Sequence, residues 1–105
     1  MRLIEEIQLK IQNDLWEFSR HALDRMLLRN IKLHEVKEAL LAGEIIEDNP
    51  NDKYGPSCLI FGYSGTGRPL HVQCSYPTRL LVKVITVYEP NPLQWINFRS
   101  RRKNS

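Results

Sequence analysis

The chain has 105 residues, 42% of them apolar and 26% charged, with 15 Lys and Arg against 12 Asp and Glu and a formal charge of +3. This is the balance of one globular domain large enough to bury its own core. It excludes a TIM barrel and a dinucleotide-binding domain joined to a substrate domain.

Ile4, Ile7, Ile11 and Leu15 recur at helical spacing, so residues 2–15 read as an amphipathic helix. Ser19 is a natural N-cap for a second helix through Arg29, with Ala22, Leu23, Met26 and Leu27 available to the core. Asn30 suits the left-handed position that ends it. A third helix over 33–42 turns Leu33, Val36 and Leu40 inward and stops at Gly43. Beyond Gly43 the period changes. Glu44–Asp48 is a short strand, and Asn49-Pro50-Asn51-Asp52 opens a loop that runs to Pro56. Ser57–Tyr63 and Pro69–Ser75 are strands joined by a Ser64-Gly65-Thr66-Gly67 turn. Leu80–Tyr88 is the longest strand and ends before Pro90 and Pro92. The expected fold class is α+β: helices in 1–43, packed on a twisted antiparallel sheet of about four strands in 44–90, then a basic tail over 91–105. One face of the sheet packs on the helices, and the other is expected to be open and partly polar.

Cys58 and Cys74 show neither metal nor redox spacing and read as two buried, reduced thiols. The N-terminus carries Glu5 and Glu6 where a signal peptide needs an apolar run, and no segment approaches the roughly 20 apolar residues of a membrane span. A cytoplasmic protein without membrane contact is expected.

Charge is unevenly spread. Residues 1–40 are neutral, residues 41–57 carry −3, and residues 58–105 carry +6, with Glu89 their one acid. Arg99, Arg101, Arg102 and Lys103 follow Trp95 and Phe98. Cations interleaved with aromatics suit a polyanion with bases to stack, meaning RNA or single-stranded DNA. The acidic stretch 44–52 is expected on a rim away from this tail. Lys53 and Tyr54 in the loop, and Thr86 on the last strand, are further candidates for RNA contact.

His34 reads as a surface residue of the third helix. His21 and Arg25 share a face of the second helix at i, i+4. His71 alternates with Leu70 and Val72, which puts it on the polar face of its strand. Either histidine can be structural, bonded to backbone, or can carry acid–base chemistry. Attack of a ribose 2′-hydroxyl on its own phosphate needs a base, an acid and a cation. His21, His71 and Arg25 supply that set, and Tyr88 either donates to phosphate, stacks a base or caps the core edge. Such a pair gives a bell-shaped rate around pH 6–7.5, since two imidazoles near a reference value of roughly 6.5 must be charged and neutral at once. No spaced ligand set is present, so neither a metal nor another cofactor is expected. The Ser64–Arg68 turn lacks the lysine and helix of a phosphate loop.

Five segments in order carry a resemblance. Ser19-Arg20-His21-Ala22-Leu23-Asp24-Arg25-Met26 resembles S-x-H-A-x-x-R-M, and Gly43-Glu44-Ile45-Ile46-Glu47 resembles GEIIE. Tyr54-Gly55-Pro56-Ser57-Cys58-Leu59 is similar to YPSCL with Gly55 inserted. Gly67–Val72 matches GRPLHV, and Ile85–Tyr88 with Pro90, Pro92 and Trp95 matches ITVY-x-P-x-P-x-x-W. Over about residues 16–102 the chain resembles a family of small bacterial domains grouped with RelE-, BrnT- and MqsR-like toxins, whose members often sit beside MqsA/YgiT-type zinc-finger antitoxins. The resemblance implies a RelE-like fold and a type II toxin, a metal-independent endoribonuclease of the mRNA interferase kind. It implies RNA, including ribosome-bound mRNA, and a small antitoxin protein as partners. His21, Arg25, His71 and Tyr88 are the expected site. The alternative is a non-catalytic domain of the same fold that binds RNA, the ribosome or a protein.

Overall fold

In the computed structural model, residues 1–103 are described; residues 104 and 105, the end of the expected tail, lie outside the described residues. The elements run α1 (Leu3–Gln12), β1 (Trp16–Phe18), α2 (Arg20–Arg29), α3 (Leu33–Ala42), β2 (Glu44–Asn49), β3 (Ser57–Tyr63), β4 (Pro69–Ser75), β5 (Val82–Tyr88), β6 (Trp95–Ile96) and β7 (Ser100–Arg101).

Ile7 and Ile11, one turn apart, are the residues α1 buries. The helix stops short of Leu15 because Asn13 turns its side-chain amide back onto the Leu9 carbonyl and Asp14 takes a left-handed φ of 56°. In α2 the Ser19 hydroxyl accepts from the Ala22 N–H at 3.0 Å, and Asn30 closes the helix at φ 52°. Both caps follow the sequence reading. The inward face does not: Ala22 and Met26 are buried, whereas Leu23 is 45% exposed and Leu27 82%. Leu33 is likewise exposed, while Val36, Ala39 and Leu40 form the buried side of α3.

The main sheet has five strands in the order β1-β5-β4-β3-β2. The α+β architecture of helices on one side of a sheet is thus observed, with one strand more than the expected four. Trp16–Phe18 is too short for a period-2 signal and lies between helices. It is a strand because β5 pairs with it, in parallel, Trp16 against Val82 and Phe18 against Val84. The other pairs are antiparallel.

The helix-side core joins Cys58 and Ile60 of β3, Leu70, Val72 and Cys74 of β4, and Val82, Val84 and Val87 of β5 to the buried faces of the helices. Burying each such aliphatic side chain stabilises by about 1.5–3 kcal/mol. α3 lies so close to β3 that a Cβ on Gly62 would stand 1.9 Å from the Ala39 carbonyl oxygen.

Alternation alone leaves β5 ambiguous, because Val82 and Val84 are out of phase with Val87. A β-bulge resolves it. Cys74 faces Val84 and Gln73 faces Thr86, so Ile85 is the extra residue. Beyond it, Val87 returns to the core, and Thr86 and Tyr88 join His71 and Gln73 on the outer face.

The outer face is not open along its length. The segment after β5 folds back as the two-stranded β6–β7 hairpin, Trp95 against Arg101 and Ile96 against Ser100. Trp95 and Phe98 settle on Phe61 and His71. Glu44 and Glu47, on β2 of the same face, meet Arg99 at 2.5 Å and Arg101 at 2.7 Å. The expected separation of acidic stretch and basic tail is therefore corrected. Opposite charges brought together on one sheet face pair with each other.

Candidate active site

His71 is the centre of the covered region and is 0% exposed. Its Nε2 lies 2.6 Å from the Phe98 carbonyl oxygen and its Nδ1 lies 3.2 Å from the Tyr88 hydroxyl. A carbonyl only accepts, so Nε2 carries the proton and donates it. Nδ1 is then the acceptor, and Tyr88 donates to it. The Trp95 ring stands edge-on to the imidazole at 4.4 Å, with Phe61 at 5.7 Å. Burial pushes the His71 pKa down against the opposing effect of the Phe98 bond, which keeps the ring neutral. Burial also raises the Tyr88 pKa, partly offset by the positive charges of Arg101 and Arg29, so the phenol stays protonated.

Tyr88 is half-buried and opens into a cleft of about 620 Å³ shared with Arg29, Arg68, Glu89, Asn91 and Gln94. The two arginines differ in their freedom. Arg68 is a clasp: Nη1 donates to the Asn30 carbonyl at 2.8 Å and to Glu35 at 3.3 Å, Nη2 donates to the Arg29 carbonyl at 2.8 Å, and Nε pairs with Glu89. It ties the α2–α3 turn to the end of β5. Arg29 donates from one nitrogen to the Val87 carbonyl at 3.3 Å, and among the described residues its guanidinium makes no other hydrogen bond. A phosphate in this cleft meets the Arg29 guanidinium and the side-chain amides of Asn91 and Gln94, while the Tyr88 proton is committed to His71.

The expected convergence of His21, Arg25 and His71 does not occur. His21 and Arg25 lie on α2, on the helix side of the sheet, and His71 faces the other way beneath the hairpin. The strand alternation behind the His71 reading is correct. Its exposure is not, because the cover comes from residues 95–98, more than twenty positions away. Tyr88 remains at the site with His71, and Thr86 lies next to it on the outer face, paired with Gln73. Arg99 and Arg101 are ion-paired and also stack on Phe61 and Trp95. Arg102 donates to the Pro92 carbonyl at 2.8 Å. All three arginines therefore help hold the hairpin to the sheet or close it on itself. Lys53 and Tyr54 sit in the loop before β3, away from the Tyr88 cleft, the lysine 4.9 Å from the tyrosine ring centre.

Sequence reasoning missed Arg29 and Arg68. Arg29 follows Arg25 by one helical turn, and Arg68 stands inside the GRPLHV segment, so both carried a signal that the histidines overshadowed. Among the described residues no group of three or more His, Cys, Asp or Glu side chains comes together as a metal site, and no helix is long and apolar enough to cross a membrane.

A protein family described as Domain of unknown function (DUF4258) matches residues 18–89, from the end of β1 to the residue after β5. The matched span contains α2, α3, Arg29, Arg68, His71 and Tyr88; α1 and the covering hairpin lie outside it. Nothing matches among the curated proteins, and nothing matches among the solved structures.

Proposed function

The chain belongs to the DUF4258 family, and from that premise we propose that it is a metal-independent endoribonuclease whose site is the Tyr88 cleft. One observation carries the reading: the Tyr88 hydroxyl, hydrogen-bonded to the buried His71 imidazole, faces a cleft beside Arg29, whose guanidinium bonds the Val87 carbonyl and no other group among the described residues. Arg29 holds the scissile phosphate. The Tyr88 oxygen takes the proton of the ribose 2′-hydroxyl as its own proton passes to Nδ1 of His71. The resulting imidazolium is held by its Nε2–H bond to the Phe98 carbonyl. The 2′-oxygen bonds to phosphorus, the bond to the 5′-oxygen breaks, and the relay returns the proton to the leaving oxygen. The products are a 2′,3′-cyclic phosphate and a 5′-hydroxyl. One relay thus serves as base and then acid, the work first assigned to His21 and His71.

The resemblance to RelE-, BrnT- and MqsR-like toxins supports the same chemistry. It extends the reading to a cytoplasmic toxin acting on RNA, including ribosome-bound mRNA, and restrained by a small antitoxin. The test is cleavage of a labelled single-stranded RNA by the purified full chain, with and without ribosomes and chelator. Cleavage that persists in chelator and falls at least about 100-fold in Tyr88→Phe is expected. An inert wild-type chain under all conditions overturns the reading.

A second reading has its own support. The clasping of Arg68 by acids and the pairing of Arg99 with Glu44 and of Arg101 with Glu47 leave fewer free cations than the sequence promises. That favours a non-catalytic domain that binds RNA or a protein. RNA affinity without cleavage identifies it.

A further inference from the structure

The outer face of the sheet has a second concavity at its other end. A groove of about 480 Å³ lies over the beginning of β5, bounded by Glu17 of β1, Ser75 of β4, Lys83 and Ile85 of β5, and the two loops that carry Tyr54 and Arg79. The bulge at Ile85 turns an apolar side chain into this otherwise polar row. Tyr54 is 88% exposed, with the Lys53 ammonium 4.9 Å from its ring centre. Among the described residues the Arg79 guanidinium has no acidic partner; its carbonyl alone is engaged, accepting from Lys10 at 2.6 Å. Glu17 and Lys83 face each other at 3.7 Å on the floor. The Ser75 hydroxyl accepts from the Lys83 N–H at 2.8 Å, which leaves its own proton free to donate.

We propose that this groove binds one nucleotide of a single-stranded RNA, its base stacked on Tyr54 and its phosphate on Arg79. Aromatic face, free guanidinium and small polar groups at the base edge form the set that holds single strands. The Glu17 carboxylate accepts from an exocyclic amino group, which favours an amino-bearing base over uracil. The site deepens the ribonuclease reading and rests on it for its biological ligand. From Lys83 to Tyr88 the strand spans roughly 16 Å at about 3.3 Å per residue. Thr86 and Gln73, both half-buried, lie between groove and cleft. A strand seated in the groove therefore reaches the Tyr88 cleft a few nucleotides further on, and the groove selects which bond is presented there.

The test uses the ¹⁵N-labelled full chain and a 12-nucleotide 2′-O-methyl RNA, which lacks the attacking hydroxyl and cannot be cut. Amide shifts at Tyr54, Ser75 and Lys83 are expected, together with shifts near Tyr88. Tyr54→Ala, at an exposed position, is expected to weaken binding about 5- to 150-fold, the range for one stacked base, and Arg79→Gln, also exposed, is expected to weaken it through the lost phosphate contact. Arg79→Gln also lowers the salt slope by about 0.7, one phosphate contact on a single strand. Silent groove amides and unchanged affinity in both variants, with binding weakened by Arg29→Gln, overturn the groove and leave the cleft reading standing. Groove shifts and lost affinity, with Arg29→Gln neutral and cleavable RNA uncut, uphold the groove and overturn the ribonuclease. Shifts with the four nucleoside 5′-monophosphates but none with the 12-mer identify a free nucleotide and overturn the strand proposal.

Discussion

The Nε2–H of His71 donates to the carbonyl oxygen of Phe98 at 2.6 Å, although the two residues belong to segments the sequence keeps apart. That bond fixes the tautomer, turns Nδ1 toward Tyr88, and couples the outer face of the sheet to the C-terminal hairpin.

Relay chemistry sets the activity profile. It needs His71 neutral and Tyr88 protonated, and burial favours both states. Cleavage is expected to hold a plateau through neutral and mildly alkaline pH and to fall on the acid side as His71 protonates, in place of the bell around pH 6–7.5 that two exposed histidines give. A rate–pH series on wild type decides between them. His71→Gln is expected to cost on the order of 100-fold, whereas His21→Ala leaves the rate within about 2-fold, since that side chain lies across the sheet.

The same group makes stability pH-dependent. The folded pKa of His71 lies below its ordinary value of 6.5, so the unfolded chain binds the proton more readily. Its contribution is complete above pH 6.5 and is lost as pH falls toward the depressed folded value. The slope is at most about 1.4 kcal/mol per pH unit for one proton. Urea midpoints at pH 7 and pH 5 are expected to converge in His71→Gln relative to wild type. An unchanged difference rules out His71 as the source.

Trp95 is buried against the imidazole although it lies beyond the main sheet. Trp95→Ala is expected to destabilise by roughly 3–5 kcal/mol, the range for a buried aromatic truncated to alanine. The Tyr88 phenol then loses its fixed imidazole. A thermal melt, with near-ultraviolet dichroism to follow the aromatic cluster, reads both effects. A melting temperature within a degree of wild type shows that the hairpin contributes nothing.

Gly62 fills the closest approach of α3 to β3. Gly62→Ala places a methyl against the Ala39 carbonyl, a backbone atom that cannot step aside. A cost of about 1–3 kcal/mol is expected in denaturant unfolding. Gly55→Ala meets no atom within 4 Å, but its φ of 111° makes it a test of backbone strain alone.

Cys58 and Cys74 face each other across β3 and β4 and are both fully buried. Burial pushes the Cys58 thiol up to about 12 and the Cys74 thiol well above its ordinary value. A thiol reagent at pH 8 is expected to label neither in the native protein and both in denaturant. Prompt labelling of the folded chain contradicts this.

The caps of α2 and the bounds of β3 and β4 were legible in the sequence, because Ser19, Asn30, the Gly67 turn and the Pro69 start act within a few residues of themselves. The α+β class and the polar face of His71 followed from period alone. What the helices bury was not legible in detail: Leu23, Leu27 and Leu33 fit the pattern, yet the sheet meets only the narrower stripe of Ala22, Met26, Val36 and Leu40. β1 exists only because β5 offers it a ladder. The phase of β5 depends on a bulge that a one-strand reading cannot see. The site itself was decided by tertiary structure. A hairpin from residues 95–101 buries a histidine that its own strand presents outward, and the ion pairs to Glu44 and Glu47 consume charge that the sequence displays as free. Local chemistry fixes where elements start and stop, whereas long-range contact fixes which polar groups meet water and which meet each other.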